Sequence, residues 1–359
     1  MIIIIGGGIV GAAIAYYLSS ASLNNIILIE KEKLLGTAVT QYCSGGVRHQ
    51  FTTEINCKFS IESMKKINAL AKEIDYKKYG YLILDMKEGM SVPRVKMQNS
   101  LGIRSEALSV KQIKERFPFL NLKGVKSGSF FAEDGVADPA ALLAYYEKGA
   151  KANGVKFLNE TTVLSITKKE GKITGIKTDK GYFQSETVIL SAGVQSRELG
   201  ATIGIDIPIV HKRKYILVIE SFKFDYPLIM EIPTGWYIKK EGDDALVGMS
   251  GKAEEKDFER QSEAVDETIE ASINRIPELE KSGIKKILTS LSDETPDKHA
   301  IIDAPVPGLI IATGFSGHGF MHSPATGQIV TSLVKKEPPI IDISELKLDR
   351  KHIKETIAI

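Results

Sequence analysis

The chain is poor in cysteine and tryptophan and has almost no net charge. Its 359 residues include two cysteines and one tryptophan, and 47 basic side chains face 45 acidic ones, for a formal charge of +2. Two cysteines cannot form a disulfide framework in a chain this long, and the spacing of Cys43 and Cys57 fits no zinc pattern, so free thiols and no metal are expected. A dedicated nucleic-acid binder would carry a basic surplus to neutralise phosphates, and there is none. The default compartment is therefore the cytoplasm. At about 150 residues per domain, the length suggests two domains.

Charge is also missing locally. No charged residue occurs from Met1 to Ile29, and the first is Glu30. A membrane span needs about 20 consecutive apolar residues, and a secretory leader needs a basic start. Gly6-Gly7-Gly8, Ser19-Ser20 and Asn24-Asn25 break the run, and no Lys or Arg precedes it, so no membrane span is expected. Two buried strands with a helix between them have the same composition.

Ile2 to Ile5 read as a central parallel strand, and Gly6, Gly8 and Gly11 occupy the three glycine positions of a dinucleotide-binding turn. Gly6 permits the turn, Gly8 lets backbone approach a pyrophosphate, and Gly11 lets the next helix pack close. That helix, about Val10 to Ser20, offers free amides and a positive dipole end to the phosphates. Ile26 to Ile29 make a second strand. Glu30 ends it at the place where an acid accepts hydrogen bonds from an adenosine ribose. NAD and FAD both use this unit, so the sequence leaves the choice open at this point.

Further along, the glycine- and serine-bearing stretch 36–48 suits a loop held against a ligand. Glu54 to Ala71 reads as an amphipathic helix. Asp138-Pro139 looks like a cap and first-position proline opening a helix to about Asn153. Three short strands follow between Thr162 and Phe183, then a buried one at Val188 to Ser191. Between Pro208 and Met249 β runs alternate with turns, with a hairpin at Glu241-Gly242-Asp243, and Glu263 to Ile276 is helical. Leu309 to Thr313 is an apolar strand entering Gly314-Phe315-Ser316-Gly317-His318-Gly319-Phe320. Ser323-Pro324 then reads as the cap of a last helix. A late glycine-rich turn has little use in a simple NAD dehydrogenase. It suits a flavin ring that backbone must approach closely. Lys347 to Lys354 reads as a solvated face.

These motifs, together with Gly45-Gly46-Val47-Arg48, Glu133 to Pro139, Ser191-Ala192-Gly193 and Thr295-Pro296-Asp297, occur in the order found in the FAD-dependent D-amino acid oxidase superfamily, which the chain resembles over essentially its whole length. It is most similar to sarcosine oxidase β subunits, dimethylglycine dehydrogenases and dye-linked L-proline dehydrogenase β subunits. The resemblance implies an α/β (α+β) two-domain fold. A Rossmann-like FAD-binding domain would be assembled from segments 1–75, 135–205 and 290–359, and a substrate domain with a mostly antiparallel sheet from 76–134 and 206–289. It implies oxidation of a small amino acid (proline, sarcosine or another N-substituted glycine, glycine or a D-amino acid) by hydride transfer to flavin N5. The imine product is then hydrolysed by water. The alternative is an FAD-bearing subunit of a heteromeric amine dehydrogenase, with a structural or electron-relay role. A partner subunit or electron acceptor, and an oligomer, would accompany either.

Carried over by position, the resemblance assigns the FAD contacts to Gly6, Gly8, Ile9, Val10, Gly11, Glu30, Lys31, Thr40, Ser44, Gly45, Gly46, Val163, Ala192, Gly193, Gly314, Gly317, His318, Gly319, Phe320 and Met321. Arg48, His49, Tyr237 and His318 are the catalytic candidates. Their duller readings are a loop anchor for Arg48, a surface or supporting histidine for His49, and a core residue for Tyr237. Phe51 and Met321 stand where monomeric sarcosine oxidases hold the substrate carboxylate with basic residues. Ser290 stands where those enzymes attach flavin covalently, so the FAD is expected to be non-covalent. Tyr237, or Lys239 if the alignment slips, stands near their oxygen-activating lysine. A lost cation there would favour a dehydrogenase over an oxidase.

Overall fold

The computed structural model describes residues 1–221, 225–250, 261–351 and 354–357. Its first sheet has six strands, in the order Ile301–Val306, Leu309–Thr313, Thr187–Leu190, β1 (Ile2–Ile5), β2 (Ile26–Ile29) and Lys156–Leu158. All neighbours pair parallel except the edge hairpin 301–313. Ile3, Ile4, Val188, Ile189 and Leu28 have no exposed surface, because helices cover one face of the sheet and an apolar layer with the strands 163–184 covers the other. This explains the uncharged opening. Helix α1 (Ile9–Ser20) packs against both the helix Pro139–Ala152 and the last helix, Gly319–Lys335.

The second sheet has eight strands and is antiparallel except where Tyr81–Asp85 runs parallel to Leu228–Ile232. Its edge strand, Ile284–Glu294, pairs with Val210–Glu220 from Val210 opposite Glu294 to Ile219 opposite Ile284 and so runs through the expected boundary at residue 290. The Glu241 hairpin closes on Gly242-Asp243, with Glu241 opposite Asp244. Helix α2 (Glu54–Ala69) packs on the last helix. The Asp138 carboxylate caps the helix begun by Pro139, accepting from the amides of Ala140 and Ala141.

Two readings of the sequence are corrected. The last helix opens at Gly319, not at Pro324. His318 is its N-cap, and Pro324 sits inside the helix. Ser323 does not cap; its hydroxyl donates to the Phe320 carbonyl within the turn. The stretch 347–354 is not uniformly solvated either, although residues 352 and 353 lie outside the described ones. Arg350 is buried, with its guanidinium on both oxygens of Asp297 at 2.7 and 2.8 Å and on the His299 carbonyl at 3.0 Å. The helix Ser91–Ser100 and the strand Ser127–Phe131 carry no clear sequence signal. The buried pair of Arg94 with Asp85 fastens that helix to the second sheet, since Asp85 ends the strand Tyr81–Asp85.

Candidate active site

The first cavity wall is the turn after β1. Gly6 has φ +104°, and a Cβ on it would lie 2.4 Å from the Ser191 carbonyl oxygen. A Cβ on Gly11 would lie 1.9 Å from the Gly6 carbonyl. These two glycines are therefore demanded by the fold itself. Gly8 is different. Its φ of −70° suits any residue, and a Cβ there would meet only the Thr40 hydroxyl, at 3.6 Å. That glycine leaves room at a cavity wall, where α1 points its positive end.

Glu30 is buried beside this turn. One carboxylate oxygen accepts from the Gly7 amide at 2.6 Å and the other from the Glu32 amide at 2.9 Å, which fixes its orientation toward the cavity. Thr40 accepts from the Ile9 amide at 3.1 Å and holds the loop against the helix start. From here one elongated cavity extends past Lys31 and Val163 on one side and past Ser44, Ala192 and Gly193 on the other. It ends among Lys214, Ile216, Tyr237, Ser290, Ser292 and Asp293 of the second sheet, with Gly317, Gly319 and Phe320 at the opening of the last helix. Two helix N-termini thus face one cavity.

Of the expected cofactor contacts, Gly6, Gly8, Ile9, Val10, Glu30, Lys31, Thr40, Ser44, Val163, Ala192, Gly193, Gly317, Gly319 and Phe320 line this cavity. Gly11, Gly45, Gly46, Gly314, His318 and Met321 do not; they stand behind the lining. A Cβ on Gly45 would lie 2.2 Å from the Ala137 carbonyl, so that glycine serves loop packing. Gly314 has φ +68° and donates its amide to Asp293 at 2.8 Å. Tyr237 alone of the catalytic candidates lines the cavity. His49 does not line it; its Nδ1 lies 2.7 Å from Asp134 and its ring is edge-on to Phe131.

Arg48 is fully buried and does not line the cavity. Its guanidinium donates to the Tyr81 hydroxyl at 3.2 Å and to the Ile357 carbonyl at 2.7 Å, lies 3.2 Å from His318 Nε2, and stacks over Phe51. Its Nε has no hydrogen-bond partner, and among the described residues no carboxylate forms an ion pair with it. Burial, and next the Arg48 charge, pushes His318 well below the ordinary histidine range. The ring is neutral, and Nε2 accepts from Arg48. Burial likewise takes His322 down to about 3. His318 orients the guanidinium and meets Phe51 edge-on, while His322 bonds to Ser60 and stacks on Phe59; at neutral pH neither is an acid.

Sequence reasoning missed Lys214 and Asp293. Lys214 faces the cavity and pairs with Glu294 at 3.4 Å, while Lys212 and Lys298 pair with the same carboxylate. Burial lowers Lys214, and burial raises Asp293. The alternation Lys212, Lys214, Ile216 was the only available signal. Lys239 pairs with Glu241 and does not line the cavity. The cavity thus holds a cation, Lys214, at a place other than that of Tyr237.

An elongated groove with two helix N-termini, a free wall at Gly8 and an acid at one end fits FAD. The chain belongs to the FAD dependent oxidoreductase family, whose model matches residues 1–333. Its fold and site are those of a flavoprotein. The chain is 25% identical to mouse mitochondrial dimethylglycine dehydrogenase over 97% of its own length, and spans 44% of that protein. Its structure superimposes on L-proline dehydrogenase from P. horikoshii with a TM-score of 0.89, at 26% identity and 96% coverage of both chains. Glycine oxidase from Geobacillus kaustophilus shares the fold, with a TM-score of 0.86, 21% identity and 98% coverage of each. No helix among the described residues is long and apolar enough to cross a membrane.

Proposed function

We propose that the chain oxidises the C–N bond of a small amino acid such as proline or an N-substituted glycine. The observation that carries this reading is Arg48: a buried guanidinium with neutral partners and an unused Nε, in contact with His318 between the cavity-lining Gly317 and Gly319, suited to a substrate carboxylate. An unpaired buried charge is costly, and an arriving carboxylate removes that cost. FAD, when bound, supplies the two-electron acceptor that takes the hydride from the carbon next to nitrogen, leaving an imine for water to hydrolyse.

The chain's own residues do the rest. Glu30 would take the adenosine ribose, and the amides at the start of α1 would take the pyrophosphate. The first amides of the helix at Gly319, with Lys214 beyond, would stabilise negative charge on a flavin held at this end. Tyr237 walls the substrate side. Its hydroxyl stays protonated, because burial raises it above the ordinary phenol range. Ser290 lines the cavity and offers no thiol at that position, and the thiol of Cys43, which also lines it, is held protonated by burial; both support non-covalent attachment. We assign 1–75, 135–205 and 295–359 to FAD binding and 76–134 and 206–294 to the substrate, keeping the strand Ile284–Glu294 whole.

An amino-acid panel added anaerobically to the yellow protein tests this: the right substrate bleaches the flavin band, and reoxidation by air or by a dye identifies the acceptor. A second reading, an FAD-bearing subunit of a larger amine dehydrogenase, is supported by the lining at Arg48, which is sealed from the cavity in this chain alone. Activity in the isolated chain would count against it, and native mass would show partner or oligomer. A cytoplasmic location belongs to this proposal.

A further inference from the structure

We propose that the segment around Ile357 is an internal stand-in for the substrate: the amino acid's carboxylate replaces the Ile357 carbonyl on Arg48, and its apolar body takes the place of the Ile357 side chain. This rests on the amino-acid reading above and deepens it, since it names the substrate class as an amino acid with a compact apolar body.

The segment has an anchor and an occupant. Glu355, 1% exposed, is the anchor. Its carboxylate accepts from the amides of Thr52 and Thr53, both hydroxyls of those residues and the Asn56 amide group, all at the start of α2. It also accepts from the Ile357 amide at 2.9 Å, a bond that turns the backbone so that the next carbonyl points at Arg48. Ile357 is the occupant. Its side chain is fully buried in an apolar cluster with Tyr81, Leu228, Met230 and Tyr237.

Three features mark this place as a ligand site. The occupant presents one oxygen to a guanidinium that can take two, and Arg48 Nε stays without a partner. Tyr237 belongs to both the Ile357 cluster and the wall of the cofactor cavity, so the two spaces are adjacent. Arg48 and Ile357 are both fully buried and neither lines the cavity, so no carboxylate reaches Arg48 until Ile357 leaves. Entry of substrate and departure of the segment are then one event, and the measured affinity is reduced by the fraction of time the segment is in place.

The test uses the holoenzyme and cyclopentanecarboxylate, an apolar carboxylate with no amine to oxidise, followed by the shift of the flavin absorbance band. Glu355→Ala, which releases the anchor and leaves Arg48 intact, is expected to bind the probe about tenfold more tightly than the parent. Acetate, lacking the apolar body, is expected to bind at least about tenfold more weakly than the ring acid. In the unaltered protein, saturating probe should raise deuterium uptake in the peptide covering 354–357. That measurement decides alone if Glu355→Ala fails to fold. Unchanged uptake at saturation, equal probe affinity in the variant, or no binding to either protein overturns the proposal. If the probe behaves as expected but no amino acid bleaches the flavin, the amino-acid oxidation reading fails and the displacement stands. If amino acids bleach it while uptake stays unchanged, the reverse holds.

Discussion

Gly8→Ala separates what the fold needs from what the cofactor needs. A methyl group at Gly8 meets only the Thr40 hydroxyl at 3.6 Å, with a φ of −70° that alanine adopts without strain. Glycine is a somewhat better N-cap than alanine, which costs the variant about 0.5–1 kcal/mol, and the stiffer unfolded chain returns about 0.4–1 kcal/mol. The melting temperature of the apoprotein should therefore be nearly unchanged. The same methyl group projects into the cavity beside the α1 amides. Losing one charge-assisted hydrogen bond to a phosphate is worth about 1.5–3 kcal/mol, so the FAD dissociation constant should rise about 10- to 100-fold. Thermal melts of the apoprotein and FAD titration followed by flavin fluorescence measure the two quantities. Gly11→Ala is the contrast: with its Cβ 1.9 Å from the Gly6 carbonyl, it should lower the melting temperature as well. Unimpaired FAD binding in Gly8→Ala, or an apoprotein as damaged as Gly11→Ala, would refute the assignment of the pyrophosphate to this wall.

Lys214→Met removes the one lysine at the flavin end of the described cavity lining. It should slow reoxidation of the reduced protein by dioxygen about tenfold or more, read by stopped flow, while an unchanged rate would take Lys214 out of the acceptor half-reaction. Acidification should destabilise the protein through His322. Its folded-state value of about 3 lies below the unfolded value, so its contribution is complete above pH 6.5 and is lost as pH falls toward 3, by about 2 kcal/mol at pH 5. Melts from pH 7 to 5 should show this slope, and His322→Gln, which can keep the Ser60 bond, should flatten it. Asp297→Asn should weaken the hold on Arg350 and loosen the chain that leads to Glu355, seen as increased proteolysis after residue 350 with FAD still bound.

The FAD half of the site was legible because its chemistry is backbone chemistry. Glycines at fixed spacing, a buried strand on each side and an acid at the strand end leave a sequence signature, and Gly6, Gly8 and Glu30 meet at one cavity end. The substrate half is made of side chains contributed by distant strands. Lys214 becomes a cavity residue only when Val210–Glu220 pairs with Ile284–Glu294, and nothing local distinguishes it from Lys212. His49 sits beside Arg48 in a glycine-rich loop, yet the two side chains reach different partners, Asp134 for His49 and His318 for Arg48, a difference that is not legible in the sequence. Proline at position 324 suggested a helix start. The helix tolerates it inside because Ser323 and the neighbouring helices satisfy the turn around it. The segment around Ile357 was unreadable, since a charged stretch gives no sign that Glu355 will be buried against α2.

The central claim is that Arg48 binds the substrate carboxylate beside an FAD held by this cavity. Anaerobic titration of the holoenzyme and of Arg48→Met with L-proline and N-methylglycine tests it most directly. The account predicts that one of these amino acids bleaches the parent flavin at one equivalent per flavin, and that Arg48→Met keeps its FAD and its yellow colour but requires at least about 100-fold more substrate. Bleaching of Arg48→Met at the same substrate concentration as the parent would contradict it.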